Sequence, residues 1–440
     1  MARRLLPGVH VPHFKNTAHM KPVVMDPPAQ IVLPMRMHIG APAKPVVKAK
    51  DPVLVGQLVA EAGGFVSSPI YAGVSGTVKK IEDMLHSDGT IESCIVIESD
   101  GLMEKADFIP PEVTDFDSFI EAVRNSGVVG MGGAGFPTAV KLKVDPDQVE
   151  YICINGAECE PFITSDTRMM RGHGELLCDG IEWLKKFYPK AKVILGIEKN
   201  KPHCIGQFQE MTQDMDEVEV CALPALYPQG GEKVLIYNTT GRIVPEGKLP
   251  IDVGCIVINT TTLISIATYI KTGEPLTAKC ITVDGSAIAH PMNVIVPIGT
   301  SIEDVVAFTG GYRSEPKKIL YGGPMMGVSI PDAEKVILKT TNAITCFDEK
   351  DSKHAETTAC IHCGSCIDAC PLNLMPVLIE KAFKENDVDR LEKLKVNVCM
   401  ECGCCSFVCP AKRPLVENHK LAKAKVAKAV KARQAKEAKS

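Results

Sequence analysis

Aromatic side chains are scarce in this chain of 440 residues. They make up 5% of it, with a single tryptophan, so the core must rest on Val, Ile, Leu, Ala and Met. No run of about 18 apolar residues occurs, which excludes a membrane-spanning helix. Charge of one sign is not in excess, and a formal net charge of −4 gives no ground for expecting nucleic acid as a partner. The opening MARRLLPGVHVPHF sets only Leu5 and Leu6 between its arginines and Pro7, which is no secretory signal core. Eighteen cysteines in so long a chain without that signal do not read as a disulfide framework. Reduced thiols in a cytosolic compartment are the expectation.

What is present changes character along the chain, and the length suits roughly two to four domains. Residues 1–30 are rich in Pro and His, lack periodicity and read as an extended arm. Residues 31–105 read as β, with strand-like runs such as Gly76–Ile81 and Ser93–Glu98 set between turn signals. An amphipathic helix is expected at Asp117–Asn125. Residues 110–277 alternate apolar runs (Tyr151–Ile154, Lys192–Ile197, Cys255–Asn259) with a helical pattern at Gly174–Phe187, which argues an α/β layer structure. Residues 278–333 form a small α+β unit, with strands at Cys280–Val283, Asn293–Val296 and Lys318–Tyr321 and a helix at Ser301–Thr309. Residues 345–415 are rich in Cys. Residues 418–440 are a basic Lys/Ala tail with good helix formers but little apolar surface, expected to be a frayed helix or disordered.

The cysteines carry the most specific chemistry. Cys360-x2-Cys363-x2-Cys366-x3-Cys370-Pro371 is followed by Cys399-x2-Cys402-x2-Cys405-x3-Cys409-Pro410. The x2 spacings wrap a short loop round one cubane, and the fourth Cys of each run ligates the other cluster in two-cluster ferredoxins. Two [4Fe–4S] clusters follow, one on Cys360, Cys363, Cys366 and Cys409, the other on Cys399, Cys402, Cys405 and Cys370. Structural zinc takes four ligands from two spaced pairs, which this pattern does not offer. Cys404 is out of register and reads as a neighbouring thiol.

Two further strings stand in the α/β segment. Gly127-Val-Val-Gly130-Met-Gly132-Gly133-Ala-Gly135-Phe136-Pro137-Thr138-Ala-Val-Lys141 is dense in Gly, so backbone N–H groups can approach a phosphate with a Lys beside them. Its spacing is neither a Walker A loop nor a dinucleotide fingerprint, and a Gly-rich turn alone is as often structural. Tyr151-Ile-Cys-Ile-Asn155-Gly-Ala-Glu158-Cys-Glu160-Pro161 runs an apolar strand into a carboxylate-bearing loop, where open α/β sheets bind ligands. Strand alternation would place Glu158 and Glu160 on one face.

These strings resemble the flavin- and NADH-binding subunit of respiratory complex I and its relatives, which share a G-x-G-G-A-G-F-P-T-x-x-K loop and an N-x-x-E-x-E-P strand end. Gly230-Gly-Glu232 and Asn259-Thr-Thr-Thr262-Leu resemble two weaker segments of that family. The order of HIGAPAKP, GFVSSPIYAGVSGTVKK, the middle pair and the two ferredoxin runs resembles one branch, the RnfC subunits of the Rnf complexes, over roughly residues 8 to 415. The resemblance implies a barrel-sandwich (lipoyl-like) domain at 31–105, a complex I flavin-subunit-like domain at 110–277, an SLBB β-grasp domain at 278–333 and a ferredoxin-like domain at 345–415. It implies non-covalent FMN, with Gly130, Gly132, Gly133, Gly135 and Lys141 at the flavin and its phosphate and Phe136 beside the ring. Asn155 and Glu158 would hold the isoalloxazine or ribityl chain, Glu160 would meet NADH, and Glu232, Asn259 and Thr262 would complete the site. Met131 and Ala157 depart from the complex I pattern, which has Arg and Asp there.

The resemblance further implies electron transfer between NAD(H), FMN and the clusters, in a subunit held peripherally on the cytoplasmic face of the membrane. Its partners would be membrane-embedded and iron–sulfur subunits of the complex, with ferredoxin as an indirect one. Na⁺ or H⁺ translocation would belong to those partners. The alternatives are a non-enzymatic iron–sulfur relay, or the diaphorase subunit of a soluble hydrogenase or formate dehydrogenase.

Overall fold

The computed structural model describes residues 5–87, 89–353 and 355–437. Residues 1–4 of the expected arm and 438–440 of the expected tail lie outside them.

Alternation builds the first domain. In Gln30–Pro34, Ile31 and Leu33 are buried, as period-two patterning over a core requires. That strand pairs with Ile91–Ser99, then Gly76–Leu85, then Pro52–Val53, all antiparallel. A second sheet of Lys44–Pro45, Leu58–Glu61 and Ile70–Tyr71 shares its core, with Val59, Ala60 and Ile70 in one buried cluster with Ile31, Leu33 and Val78. Gly76 permits the long hairpin: its φ is +150°, and a Cβ there would stand 2.0 Å from the Glu98 carbonyl oxygen.

The α/β domain holds a four-stranded parallel sheet in the order Val218–Leu223, Lys192–Glu198, Tyr151–Gly156, Cys255–Asn259. The two central strands are nearly all buried, since helices cover the sheet. Helix Gly174–Phe187 turns Leu177, Ile181 and Leu184 inward at helical spacing. It crosses helix Thr260–Thr272 at Gly180, where a Cβ would lie 2.6 Å from Leu263 Cγ.

The expected small α+β unit is larger than residues 278–333. Its six-stranded sheet runs Val23–Val24, Met292–Pro297, Ala278–Asp284, Ala343–Phe347, Lys318–Tyr321, Val328–Ile330. Two of those strands come from outside the expected range, one from the arm and one from the segment before the cysteines. The arm is extended, as expected, but it is threaded through the molecule. Val9 exchanges both backbone hydrogen bonds with Tyr227, and the buried Thr17 hydroxyl meets Thr164.

Of the two expectations for the tail, the helix holds, but it is a packed one rather than a frayed one. Leu415–Glu437 is one helix of 23 residues, and it buries Leu415, Val416, His419, Ala422 and Val426 on the cysteine module. Its small Ala and Val face suffices because the neighbours are two short helices, Pro376–Lys384 and Val388–Lys393, with Ile379 and Leu391 turned to it.

Candidate functional site

Strands Tyr151–Gly156 and Cys255–Asn259 are neighbours in the sheet but not in sequence, so the sheet's order reverses beside them. The crevice beyond their carboxyl ends is a topological switch point. Asn155 and Asn259 stand opposite each other there, in register. Asn155 Nδ2 donates to the Gly230 carbonyl at 2.8 Å. Asn259 Oδ1 caps the following helix by accepting from Thr262 N at 3.1 Å, and its Nδ2 donates to Asp166 Oδ2 at 2.7 Å.

The glycine loop hangs over this crevice. Gly130 N donates to the Phe136 carbonyl at 2.9 Å and closes the loop. Thr262 Oγ1 anchors it by accepting from Met131 N at 3.1 Å. The glycines then differ in role. A Cβ on Gly132 would lie 2.7 Å from Asn259 Nδ2, whereas one on Gly133 would meet nothing within 4 Å. Gly135, with φ of +72°, packs its back against Thr340 and His38, and its carbonyl accepts from Ile39 N at 3.2 Å. It joins domains rather than facing the crevice. Lys141 reaches in from the next turn, donating to the Val257 carbonyl at 3.0 Å and pairing with Glu232 at 3.3 Å.

The two motif carboxylates are committed to the protein. Glu158 has φ of +47°, which breaks the strand alternation and sends the side chains apart. Its carboxylate accepts from Asp166 N at 2.7 Å, from Thr167 N at 3.3 Å and from the Thr167 hydroxyl, closing the start of helix Ser165–Gly172. Glu160 accepts from Met325 N at 3.2 Å and Met326 N at 2.6 Å. Burial pushes each carboxyl up to about 7. The expected direct role of Glu160 toward NADH and of Glu158 toward the flavin therefore meets side chains already engaged.

Two lysines that the sequence did not single out grip the same loop. Lys15 Nζ, from the arm, donates to the carbonyls of Glu158 and Glu160 at 2.8 Å each and to that of Ile163. Its ammonium is buried, which lowers its pKa to about 8. Lys201 Nζ donates to the Ala157 carbonyl and pairs with buried Glu198 at 3.2 Å.

The cysteines gather in two cavities. One is lined by Cys370, Cys399, Cys402 and Cys405, with Cys404 also on its wall. The other is lined by Cys360, Cys363, Cys366 and Cys409, of which Cys363 is exposed. Each run thus lends its fourth Cys to the other cavity, which fits two cubanes. Left-handed residues recur in register, His362 and Gly364 in one run and Glu401 and Gly403 in the other. They turn backbone N–H groups toward sulfur, His362 N to Cys360 Sγ and Glu401 N to Cys399 Sγ, both at 3.4 Å. Such bonds stabilise thiolate charge and tune the cluster. The C-terminal helix supplies His419 Nδ1, 3.5 Å from Cys399 Sγ, and Lys423, which donates to the Cys399 carbonyl at 3.0 Å.

The two centres adjoin. The buried Tyr227 hydroxyl donates to the Cys402 carbonyl at 2.7 Å, and four residues on, Met400 packs against Gly231. Gly230 N donates to Cys159 Sγ at 3.3 Å. Cys159, Tyr227, Met325, Met400, Cys402 and Cys404 form one apolar cluster. Cys404 Sγ points to the Tyr227 carbonyl, at 3.9 Å.

Comparison with known proteins agrees with this layout. Family descriptions match in order: the RnfC barrel sandwich hybrid domain at residues 4–102, the Nuo51 FMN-binding domain at 123–268, the SLBB domain at 280–329 and the 4Fe-4S dicluster domain at 352–410. The chain is 40% identical to the RnfC subunit of the Na(+)-translocating ferredoxin:NAD(+) oxidoreductase complex of Acetobacterium woodii, over 95% of this chain and 96% of that one. It belongs to the RnfC family of ion-translocating ferredoxin:NAD⁺ oxidoreductase complexes. The RnfC subunit of the proton-translocating complex of Clostridium ljungdahlii is also 40% identical, over 84% of this chain and 82% of that one. An NAD⁺-reducing [NiFe]-hydrogenase structure is 20% identical over 63% of this chain and 53% of that one, with a TM-score of 0.49. As a member of the RnfC family, the chain carries FMN and two [4Fe–4S] clusters in the domains that match those descriptions. The glycine loop, Lys141 and both asparagines fall within the FMN-binding match, and all eight run cysteines within the dicluster match.

Proposed function

We propose that this chain is the peripheral, NAD(H)-exchanging subunit of a membrane-bound, ion-translocating ferredoxin:NAD⁺ oxidoreductase, on the cytoplasmic face of the membrane. The observation that carries the reading is the contact of the crevice with the Cys370, Cys399, Cys402, Cys405 cavity across residues 227–231. Bound flavin exchanges two electrons with NAD(H) as hydride and single electrons with the clusters. The protein's own residues bind and orient. Gly130, Gly132 and Gly133 bring backbone N–H groups to the flavin phosphate with Lys141 beside it, and Phe136 stands next to the ring. Asn155, Asn259 and Glu232 line the crevice, while Thr262 and Glu158 hold the loops that form it.

The buried sulfurs Cys370, Cys402 and Cys405, with half-buried Cys399, hold the cluster nearer the flavin. Cys360, Cys363, Cys366 and Cys409 hold the outer one, where Cys363 is exposed and Ile361 is 68% exposed. That outer face exchanges electrons with iron–sulfur partner subunits, which connect to ferredoxin. Among the described residues no helix is long and apolar enough to cross a membrane, so Na⁺ or H⁺ passage resides in membrane-embedded partners.

The test is anaerobic reconstitution of the full chain, quantification of flavin and iron, and titration with NADH. About eight iron atoms and about one flavin per chain are expected, with cluster absorbance bleached on adding NADH. Iron without flavin, or clusters untouched by NADH, would refute the reading and leave a non-enzymatic relay.

A further inference from the structure

Glu160 belongs to the strand end that closes the flavin crevice, yet its carboxylate points out of the α/β domain. It enters the turn Gly322–Gly327 of the neighbouring sheet domain. Oε2 accepts from Met325 N and Oε1 from Met326 N, one oxygen for each amide. Gly323 makes room: a Cβ there would stand 2.3 Å from Glu160 Oε2. The turn is itself tight, with Gly327 N donating to the Gly323 carbonyl at 2.9 Å. Its far side rests on the cluster loop, since a Cβ on Gly403 would come 3.0 Å from the Met325 carbonyl oxygen. Gly403 directly follows Cys402. Buried Tyr227 makes a parallel link, its hydroxyl donating to the Cys402 carbonyl and its phenol lying beside the Glu160 carboxylate.

We propose that Glu160 is a latch: through the Met325–Met326 amides it fixes the flavin crevice to the Cys399–Cys405 loop, with the Tyr227–Cys402 bond as a parallel link. It is a positioning residue for electron transfer between the two centres and makes no contact with nicotinamide. The inference rests on the function proposed above. Its physical basis is that electron tunnelling falls steeply with distance, so two centres carried on different domains need a fixed gap. A carboxyl group suits the task because its two oxygens meet two successive amides at once, which a single-acceptor side chain cannot do. Withdrawing it toward a substrate would leave the Met325 amide without its acceptor. The turn, Gly323 and Gly403 are all shaped to its presence.

The experiment uses the reconstituted full chain as wild type, Glu160→Gln, Glu160→Ala and Tyr227→Phe. Steady-state NADH oxidation with ferricyanide reads the nicotinamide site, stopped-flow bleaching reads electron transfer to the cluster, and amide hydrogen exchange reads the Met325–Met326 peptide. For a latch, the KM for NADH stays within about twofold of wild type in every variant, because binding of substrate is untouched. Cluster bleaching slows about tenfold or more in both Glu160 variants and less in Tyr227→Phe. Exchange at Met325 and Met326 rises about tenfold in both Glu160 variants as their acceptor weakens or goes. A KM about tenfold higher, with bleaching and exchange unchanged, would place Glu160 at the nicotinamide and overturn the proposal. Wild-type clusters that NADH never bleaches would sink the functional reading alone, because exchange at Met325 and Met326 still decides whether the latch exists.

Discussion

Gly132 and Gly133 are adjacent, but the structure predicts opposite failures for them. A Cβ on Gly132 would lie 2.7 Å from Asn259 Nδ2 and 3.1 Å from its Cγ, so the Asn259 side chain must leave. It then gives up its bond to Asp166 and its cap on Thr262 N. Loss of an N-cap costs about 0.5–2 kcal/mol, and loss of a hydrogen bond to a charged group about 1.5–3 kcal/mol. Gly132→Ala is therefore expected to destabilise the α/β domain by about 2–5 kcal/mol. Gly133 has nothing within 4 Å of its would-be Cβ, so Gly133→Val leaves stability within about 0.5 kcal/mol of wild type, as for a surface substitution. Its side chain nonetheless fills the space through which the loop amides approach the phosphate. Each amide bond lost there, at about 1.5–3 kcal/mol, raises the flavin Kd about 10- to 150-fold. Denaturant melts of flavin-free protein separate the two variants, and flavin titration by fluorescence quenching gives the affinities, with iron content as the control. Wild-type flavin affinity in Gly133→Val, or a wild-type melt in Gly132→Ala, would refute the reasoning.

Two further outcomes follow from the same geometry. Because each run lends its fourth cysteine to the other cavity, Cys370→Ser should leave the same residual cluster signal in electron paramagnetic resonance as Cys399→Ser, and Cys409→Ser the same as Cys360→Ser. The opposite pairing would sink the ligand assignment. Burial raises the Glu160 carboxyl to about 7 from 4.5, so the folded chain holds a proton there that the unfolded chain has lost. Stability from this group is full below about pH 4.5 and is lost as pH rises through about 7, roughly 3 kcal/mol in all. Glu160→Gln cannot titrate, so between about pH 5 and about pH 8 its melt should gain on wild type. Parallel pH profiles would contradict that.

The sequence by itself determined what depends on local spacing. The x2 ladders deliver three sulfurs from one loop whatever surrounds them, so the cysteine sets were legible before any contact was known. Helix Gly174–Phe187 and strand Cys255–Asn259 match their expected bounds to the residue, because an apolar period registers burial directly. Asn155, Asn259 and the glycine loop were placed together only by their resemblance to the complex I flavin subunit, since the sequence does not say which strands are neighbours. Tertiary structure alone decided what each of these side chains touches. Lys15 sits in an arm without periodicity and binds backbone carbonyls more than 140 residues away, and a carbonyl acceptor leaves no mark in sequence. His419 and Lys423 lay hidden in a Lys/Ala tail whose buried face, past its first turns, is built from the small side chains of Ala422 and Val426. The alternation that predicted one shared face for Glu158 and Glu160 failed because a left-handed residue at Glu158 turns the chain. A turn from another domain then captured Glu160. Periodicity fixes which residues are inside an element, but the direction of a polar side chain at the element's end is set by whichever donors the rest of the fold brings to it.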